Sequence, residues 1–237
     1  MPSQTNRDRP LLAVLIDADN VPAKYAQSIL REITSIGEPA LRRVYGDWSS
    51  DRLKPWNDKL LTLGLVAMQE TANTKGKNAS DIGLVIDAMD ILHGGRFDGF
   101  VLVSSDSDFT ALANRLREDG LMVIGIGEKK TPEALRNVVN RFIFIENLEG
   151  TEPGEKPAKS TARAADALPL IEAAMAKLDP DDGDWFNLGQ LGQTVQAAHP
   201  DFDTRSYGHA KLSALVRDIN SLETQKAGAR LLVRLKD

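Results

Sequence analysis

Leu11-Leu-Ala-Val-Leu-Ile-Asp17-Ala-Asp19-Asn20 is a short, unbroken apolar run closed by acids. A run of this length without polar alternation marks a strand buried on both faces, as in a parallel sheet. Helical spacing follows over Ala23–Ile36 and stops at Gly37. The same alternation then repeats. Strands are predicted at Ala40–Tyr45, Leu65–Gln69, Gly99–Val103, Leu121–Ile126 and Phe142–Ile145, and helices at Asp51–Leu63, Ser80–Leu92, Phe109–Glu118 and Pro132–Val139. Alternation with connections this short predicts an α/β domain over residues 10–148, built as a mostly parallel sheet covered by helices. Ligands of such sheets bind at the carboxyl ends of the strands, so the residues just after each strand carry the most information.

Residues 149–165 are rich in Pro, Gly and charge and read as a linker. Residues 166–237 form a second unit. Helices are predicted at Ala167–Leu178, at Phe186–Ala198 with Asn187 as its cap, and at Arg205–Ile219. Two β-like pieces, Leu222–Gln225 and Arg230–Leu235, close the chain. Three helices and a terminal hairpin suit a small winged helix-turn-helix domain.

The chain has 237 residues, is 42% hydrophobic and 27% charged, and contains no cysteine. Disulfides and thiolate metal sites are excluded, which agrees with a reducing, cytoplasmic setting. The polar N-terminus shows no signal peptide, and no apolar run is long enough for a membrane span. The net charge is −5, with 18 Lys/Arg against 20 Asp/Glu in residues 1–148 and 8 against 11 in residues 166–237. Neither unit is the basic body of a strong nonspecific nucleic-acid binder, so any such contact is local, metal-assisted or carried by a small basic patch. There is no Gly-x-Gly-x-x-Gly and no Walker loop, and the three histidines are scattered.

Carboxylates mark the strand ends. Asp17 and Asp19 close the first strand, with Asn20 beside them. Ser104-Ser105-Asp106-Ser107-Asp108 follows the fourth, and Asp81 opens the helix after the third. Acids converging at a sheet edge repel one another, and a divalent cation relieves that cost. An all-oxygen donor set suits Mg²⁺ or Mn²⁺. Such an ion polarises a phosphoryl oxygen and activates a water for in-line attack. The bland alternative is helix capping, open to Asn20 and Asp108. Asp87 reaches the cluster only from an oblique helix, and Asp90 points to the opposite face.

Other residues are candidates for holding substrate. Lys75 and Lys77 precede Asp81 in a loop, where they meet phosphates or are solvated charges. Trp48 and Trp56 flank Arg52 and Lys54, a pairing that can stack bases and grip a backbone, although such tryptophans are more often core. Arg42, Arg43, Lys129 and Lys130 read as surface charges.

Taken together, Ile16-Asp17-Ala-Asp19-Asn20, Lys77…Asp81 and Val103-Ser-Ser-Asp106-Ser-Asp108-Phe109 resemble the NYN domain, a LabA-like branch of the PIN-like nuclease superfamily. The resemblance implies a metal-dependent ribonuclease in which Asp17, Asp81, Asp106 and Asp108 hold or orient Mg²⁺ or Mn²⁺ and its water, and Asn20 fixes substrate or Asp17. The second unit, through Phe186-Asn-Leu-Gly189, His199-Pro-Asp-Phe202 and Tyr207-Gly208-His-Ala-Lys211-Leu212, resembles the LOTUS domain, also called OST-HTH. That resemblance implies RNA binding, with Tyr207, Lys211 and Arg234 as candidate contacts, or docking of a protein partner. Two other readings compete. Asp17-Ala-Asp19 also matches the nucleophile element of haloacid-dehalogenase-like phosphatases, although no cap insertion accompanies it. A non-catalytic adaptor that binds RNA or protein is the rival from outside enzymology.

Overall fold

A computed structural model describes residues 8–69, 79–148, 162–181 and 183–236. The chain forms two compact units, residues 1–156 and 157–237. Lys75 and Lys77 lie outside the described residues, as do positions 149–161 of the expected linker.

The first unit runs β1 (Leu11–Asp17), α1 (Ala26–Ile36), β2 (Glu38–Gly46), α2 (Lys54–Leu63), β3 (Val66–Gln69), α3 (Ala79–His93), β4 (Gly99–Val103), α4 (Thr110–Glu118), β5 (Met122–Gly127), α5 (Glu133–Val138) and β6 (Arg141–Phe144). The strands form one sheet in the order β3-β2-β1-β4-β5-β6, with every neighbouring pair parallel. The chain builds outward from β1 through β2 to β3, then crosses over by α3 to β4 on the other side of β1. The direction of winding therefore switches between β1 and β4, the place where open α/β sheets form a ligand crevice.

Period-two alternation divides the strand residues between two cores. Leu12, Val14 and Ile16 pack with Val101, Val103, Ile29 and Ile33 of α1, and Trp56. Ala13 and Leu15 face the other way, against Leu84 and Ala88 of α3 and Leu112 and Leu116 of α4. Burial of each large aliphatic side chain contributes ~1.5–3 kcal/mol, and a one-residue slip of β1 would exchange its large and small residues between the two cores and turn Asp17 to the wrong face.

The second unit contains α6 (Leu168–Met175), β7 (Phe186–Asn187), α7 (Leu188–Ala198), α8 (Leu212–Asp218), β8 (Leu222–Ala227) and β9 (Arg230–Leu235). Its sheet is antiparallel, in the order β7-β9-β8. Its core gathers Ile171, Leu191, Val195, Leu215, Val216 and Val233. Asn187 caps α7 as expected, accepting from the amide of Gly189 at 2.9 Å.

Several boundaries differ from expectation for local reasons. The helix predicted over Arg205–Ile219 splits into a 3-10 turn at Thr204–Tyr207 and α8, because Gly208 turns left-handed (φ 83°) and Lys211 is extended. Turns of 3-10 type also precede α2 and α4, at Asp51–Leu53 and Ser107–Phe109. A 3-10 turn at Ala164–Ala167 starts inside the stretch read as linker, because Ala164 and Ala167 are buried in the core of the second unit.

One glycine controls the loop after β4. A Cβ on Gly127, at the end of β5, would meet the Ser104 carbonyl oxygen at 2.7 Å and Thr131 Oγ1 at 2.8 Å. Gly127→Ala is expected to displace the Ser104 loop and lower stability by ~1–3 kcal/mol in urea unfolding. An unchanged midpoint would show that the loop yields without cost.

Candidate metal centre

The register Ile16↔Val103 between β1 and β4 places the next residue of each strand, Asp17 and Ser104, side by side at the switch point. Asp17 is 1% exposed. An ionised carboxylate at that depth needs donors, and four are supplied. Ser104 Oγ donates to Oδ2 at 2.8 Å and Asn20 Nδ2 donates to the same oxygen at 2.6 Å. The backbone amides of Asp19 and Asn20 donate to Oδ1 at 3.1 and 3.2 Å. Burial pushes the Asp17 carboxyl above its usual range, and the hydrogen bonds from Asn20 and Ser104 pull it back.

Ser104 also receives the amide of Asp106 on its Oγ, at 3.1 Å. Asp106 in turn accepts the amide of Asp108 at 2.9 Å and so caps the 3-10 turn that opens α4. The capping role open to Asp108 therefore belongs to Asp106. Asn20 does not cap either, since Pro22 holds the cap position of the 3-10 turn at Ala23–Tyr25, with no side-chain cap bond.

Carboxylate oxygens of Asp81, Asp106 and Asp108 lie within 4.8 Å of one another, with Asp81 and Asp106 half-buried and Asp108 exposed. Asp17 is not a member of that group, but it acts on it. The Asp81 carboxyl is pushed up to about 6, first by burial and then by the charges of Asp17, Asp106, Asp108 and Asp19. Three hard oxygen donors, no nitrogen or sulfur, and mutual repulsion at short range fit an ion of the Mg²⁺ or Mn²⁺ type. Two oxygens bound to one such ion at ~2.1 Å are at most ~4.2 Å apart, so the group needs little closing movement. Asp17 suits the supporting role of a buried anion that orients the loops. Enclosed and hydrogen-bonded on both oxygens, it is poorly placed to attack a phosphate as the Asp-x-Asp reading would require.

The remaining candidates separate. Asp19 turns away from the cluster to pair with Arg52 at 2.9 Å. Lys54 pairs with Asp51 at 3.0 Å. Trp56 is a core residue, and half-buried Trp48 packs against the same core and donates its indole N–H to the Met68 carbonyl at 2.9 Å. Asp87 meets Arg43 and the hydroxyl of buried Tyr45, tying α3 to β2. Arg43 is thus no free surface charge, and Arg42 donates to the carbonyls of Pro39 and Leu63. In the second unit Tyr207 packs on Phe202 at 5.8 Å between ring centroids. Lys211 is exposed at the start of α8. Arg234 pairs with Glu223 and lies 4.6 Å over the Trp185 ring. Ser104 is the residue that sequence reasoning passed over. Its signal was position alone, directly after a buried strand adjacent to the one ending in Asp17.

Comparison with known proteins identifies both domains. The family model of the NYN domain matches residues 11–146, and that of the OST-HTH/LOTUS domain matches residues 163–233. A search of curated proteins finds no match. Among solved structures, a protein of unknown function from Vibrio parahaemolyticus is similar at 21% identity and a TM-score of 0.52, over 61% of this chain and 98% of that one. At that identity it shows the fold alone. MurG of Acinetobacter baumannii aligns over 89% of this chain and 70% of its own at 10% identity, with a TM-score of 0.39, too loose to bear on fold or function.

Two measurements separate the acids. Because the folded-state pKa of Asp81 is raised from 3.8 to about 6, the folded state binds more protons than the unfolded one in that window. The contribution of Asp81 to stability is therefore complete below pH 3.8 and is lost as pH rises through about 6. In chelator, Asp81→Asn is expected to gain stability relative to wild type across that rise, and Mn²⁺ is expected to stabilise wild type more than the variant. A wild-type minus variant difference that stays flat with pH would contradict the assignment. Asp87→Ala is expected to lose ~2 kcal/mol in urea unfolding, by stranding Arg43 and Tyr45, while keeping its Mn²⁺ affinity.

Proposed function

Since the chain belongs to the NYN domain family, we propose that it is a divalent-cation-dependent ribonuclease whose OST-HTH/LOTUS domain binds RNA. The observation that carries this reading is the convergence of Asp81, Asp106 and Asp108 within 4.8 Å at the sheet's switch point. Family membership supplies the nuclease class and the second domain supplies the RNA.

Asp81, Asp106 and Asp108 would hold the cation, Mg²⁺ or Mn²⁺. When bound, such an ion polarises a phosphoryl oxygen and lowers the pKa of a water for in-line attack. The chain's own residues do the positioning. Asp17, locked by Ser104 and Asn20, sets the strand ends and places a fixed negative charge behind Asp81. Asp106 is held by its own turn, so its carboxylate needs little reorganisation. Asp108, the exposed member, faces the side from which a phosphodiester arrives. Arg52 on the first domain and Lys211 and Arg234 on the second are proposed RNA contacts. Trp185 under Arg234 offers an aromatic surface beside a cation. No described helix is long and apolar enough to cross a membrane.

Asp106→Asn in nuclease-free protein is expected to lower RNA cleavage with Mn²⁺ by at least about a hundredfold, without loss of folding by circular dichroism. Gel retardation of the same RNA should persist in the variant. Cleavage at the wild-type rate would remove the site assignment. Retardation without any metal-dependent product in the wild type would favour the adaptor instead.

A further inference from the structure

An open groove of about 420 Å³ lies between the 18–24 segment that follows β1 and the 52–56 segment that follows β2. Val21, Pro22, Leu53, Pro55 and Trp56 are the larger apolar residues of its lining, and Lys24 and Arg52 are its cations. Its volume falls within the ~300–1,000 Å³ of small-molecule sites, and an apolar lining with a few placed polar groups is their usual composition. The groove adjoins the buried Asp17 through Asn20. Asn20, which lines it, donates to Asp17 at 2.6 Å, and Asp17 is the foremost charge acting on Asp81.

The polar groups at the rim define the ligand. Arg52 lines the groove with its side chain 76% exposed, donates to Asp19 Oδ1 at 2.9 Å and also acts on the exposed carboxylate of Asp47. An ion pair this exposed is weak. Asp19 itself is excluded from the oxygen cluster. A phosphate approaching Arg52 offers more acceptor oxygens than the lone Asp19 oxygen and can engage the guanidinium in two parallel bonds. The walls Pro22 and Pro55 are exposed, while Val21, Leu53 and Trp56 form a buried floor. A flat apolar group suits such a slot. A nucleotide joins a phosphate, through its sugar, to a planar base whose faces can lie on apolar walls.

We propose that this groove binds one nucleotide of the RNA beside the scissile phosphodiester, with Arg52 leaving Asp19 to take that nucleotide's phosphate. The proposal rests on the ribonuclease reading for its place beside the cleaved bond, but binding in the groove is measurable without turnover. Lys54 does not line the groove and is not required.

The test is a titration of full-length protein, in chelator, followed by amide chemical shifts in the NMR spectrum. The probes are adenosine 5′-monophosphate, adenosine and inorganic phosphate. The expected result is that adenosine 5′-monophosphate shifts the signals of residues 18–24 and binds more tightly than either fragment. Arg52→Ala should weaken it by about tenfold, and Asp19→Asn should strengthen it by roughly threefold, since Arg52 is then released. Arg115→Ala, an equal loss of charge on α4, should change nothing. The proposal is overturned if Arg52→Ala binds like wild type, if Arg115→Ala weakens binding as much, or if the shifts map outside the groove. Equal affinity for phosphate alone would overturn the role of the apolar floor. RNA left intact with Mn²⁺ in a separate assay free of mononucleotide, by protein shown to bind the mononucleotide in the groove, would end the ribonuclease reading and keep the nucleotide site. RNA cleaved with no mononucleotide binding would do the reverse.

Discussion

A carboxylate sealed inside a sheet must be met by donors, and the Asp17 carboxylate is met from both sides. Ser104 arrives from β4, and Asn20 and two amides arrive from the turn after β1. Satisfying one buried anion thus fixes the relative height of two central strands and the paths of the loops that leave them. The alternative, an unpaired charge at that depth, costs several kcal/mol after relaxation, ~3–5 when a partner is removed. The rest of the site hangs on this arrangement. Ser104 passes the constraint to Asp106 through its Oγ, and Asp106 passes it to Asp108 through a turn.

Burial grades the acids by task. Asp17 is enclosed and hydrogen-bonded, Asp81 and Asp106 are half-exposed, and Asp108 is open. The innermost acid gives its oxygens to the protein, and each of the other three brings one oxygen to the shared cluster. Asp81 bears the cost, its proton affinity raised by four neighbouring carboxylates as well as by burial. A fold tolerates such a cluster when a ligand that binds only the folded state repays it. Asp87, only two turns along the same helix, is spent on Arg43 and Tyr45 and shows how closely a structural acid can lie to a chemical one.

The parallel sheet was legible because its strands are unbroken apolar runs ended by turn-formers, and period two assigns Leu12, Val14 and Ile16 to one face without ambiguity. The acids were legible because an Asp closing such a run has few structural uses. What sequence could not show is which oxygens point where. Asp17, Asp19 and Asp108 look alike as letters, yet one is buried, one pairs with Arg52 and one faces outward. That sorting depends on contacts between segments far apart in the chain. Trp48 and Trp56 were ambiguous for the same reason, since a tryptophan beside basic residues reads identically whether its ring is inside or outside. The split before α8 was obscured because the helical period carries on across Gly208, and only the glycine's left-handed backbone breaks it.

The strand order has a consequence for the order of events during synthesis. β1 pairs with β2 early, but its other neighbour, β4, is made only after α3. A nascent chain on the ribosome that has delivered everything through α3 holds Asp17 and Asp81 and lacks Asp106, Asp108 and the strand that seats them. The three-carboxylate cluster is therefore incomplete in the half-made protein until the centre of the sheet closes.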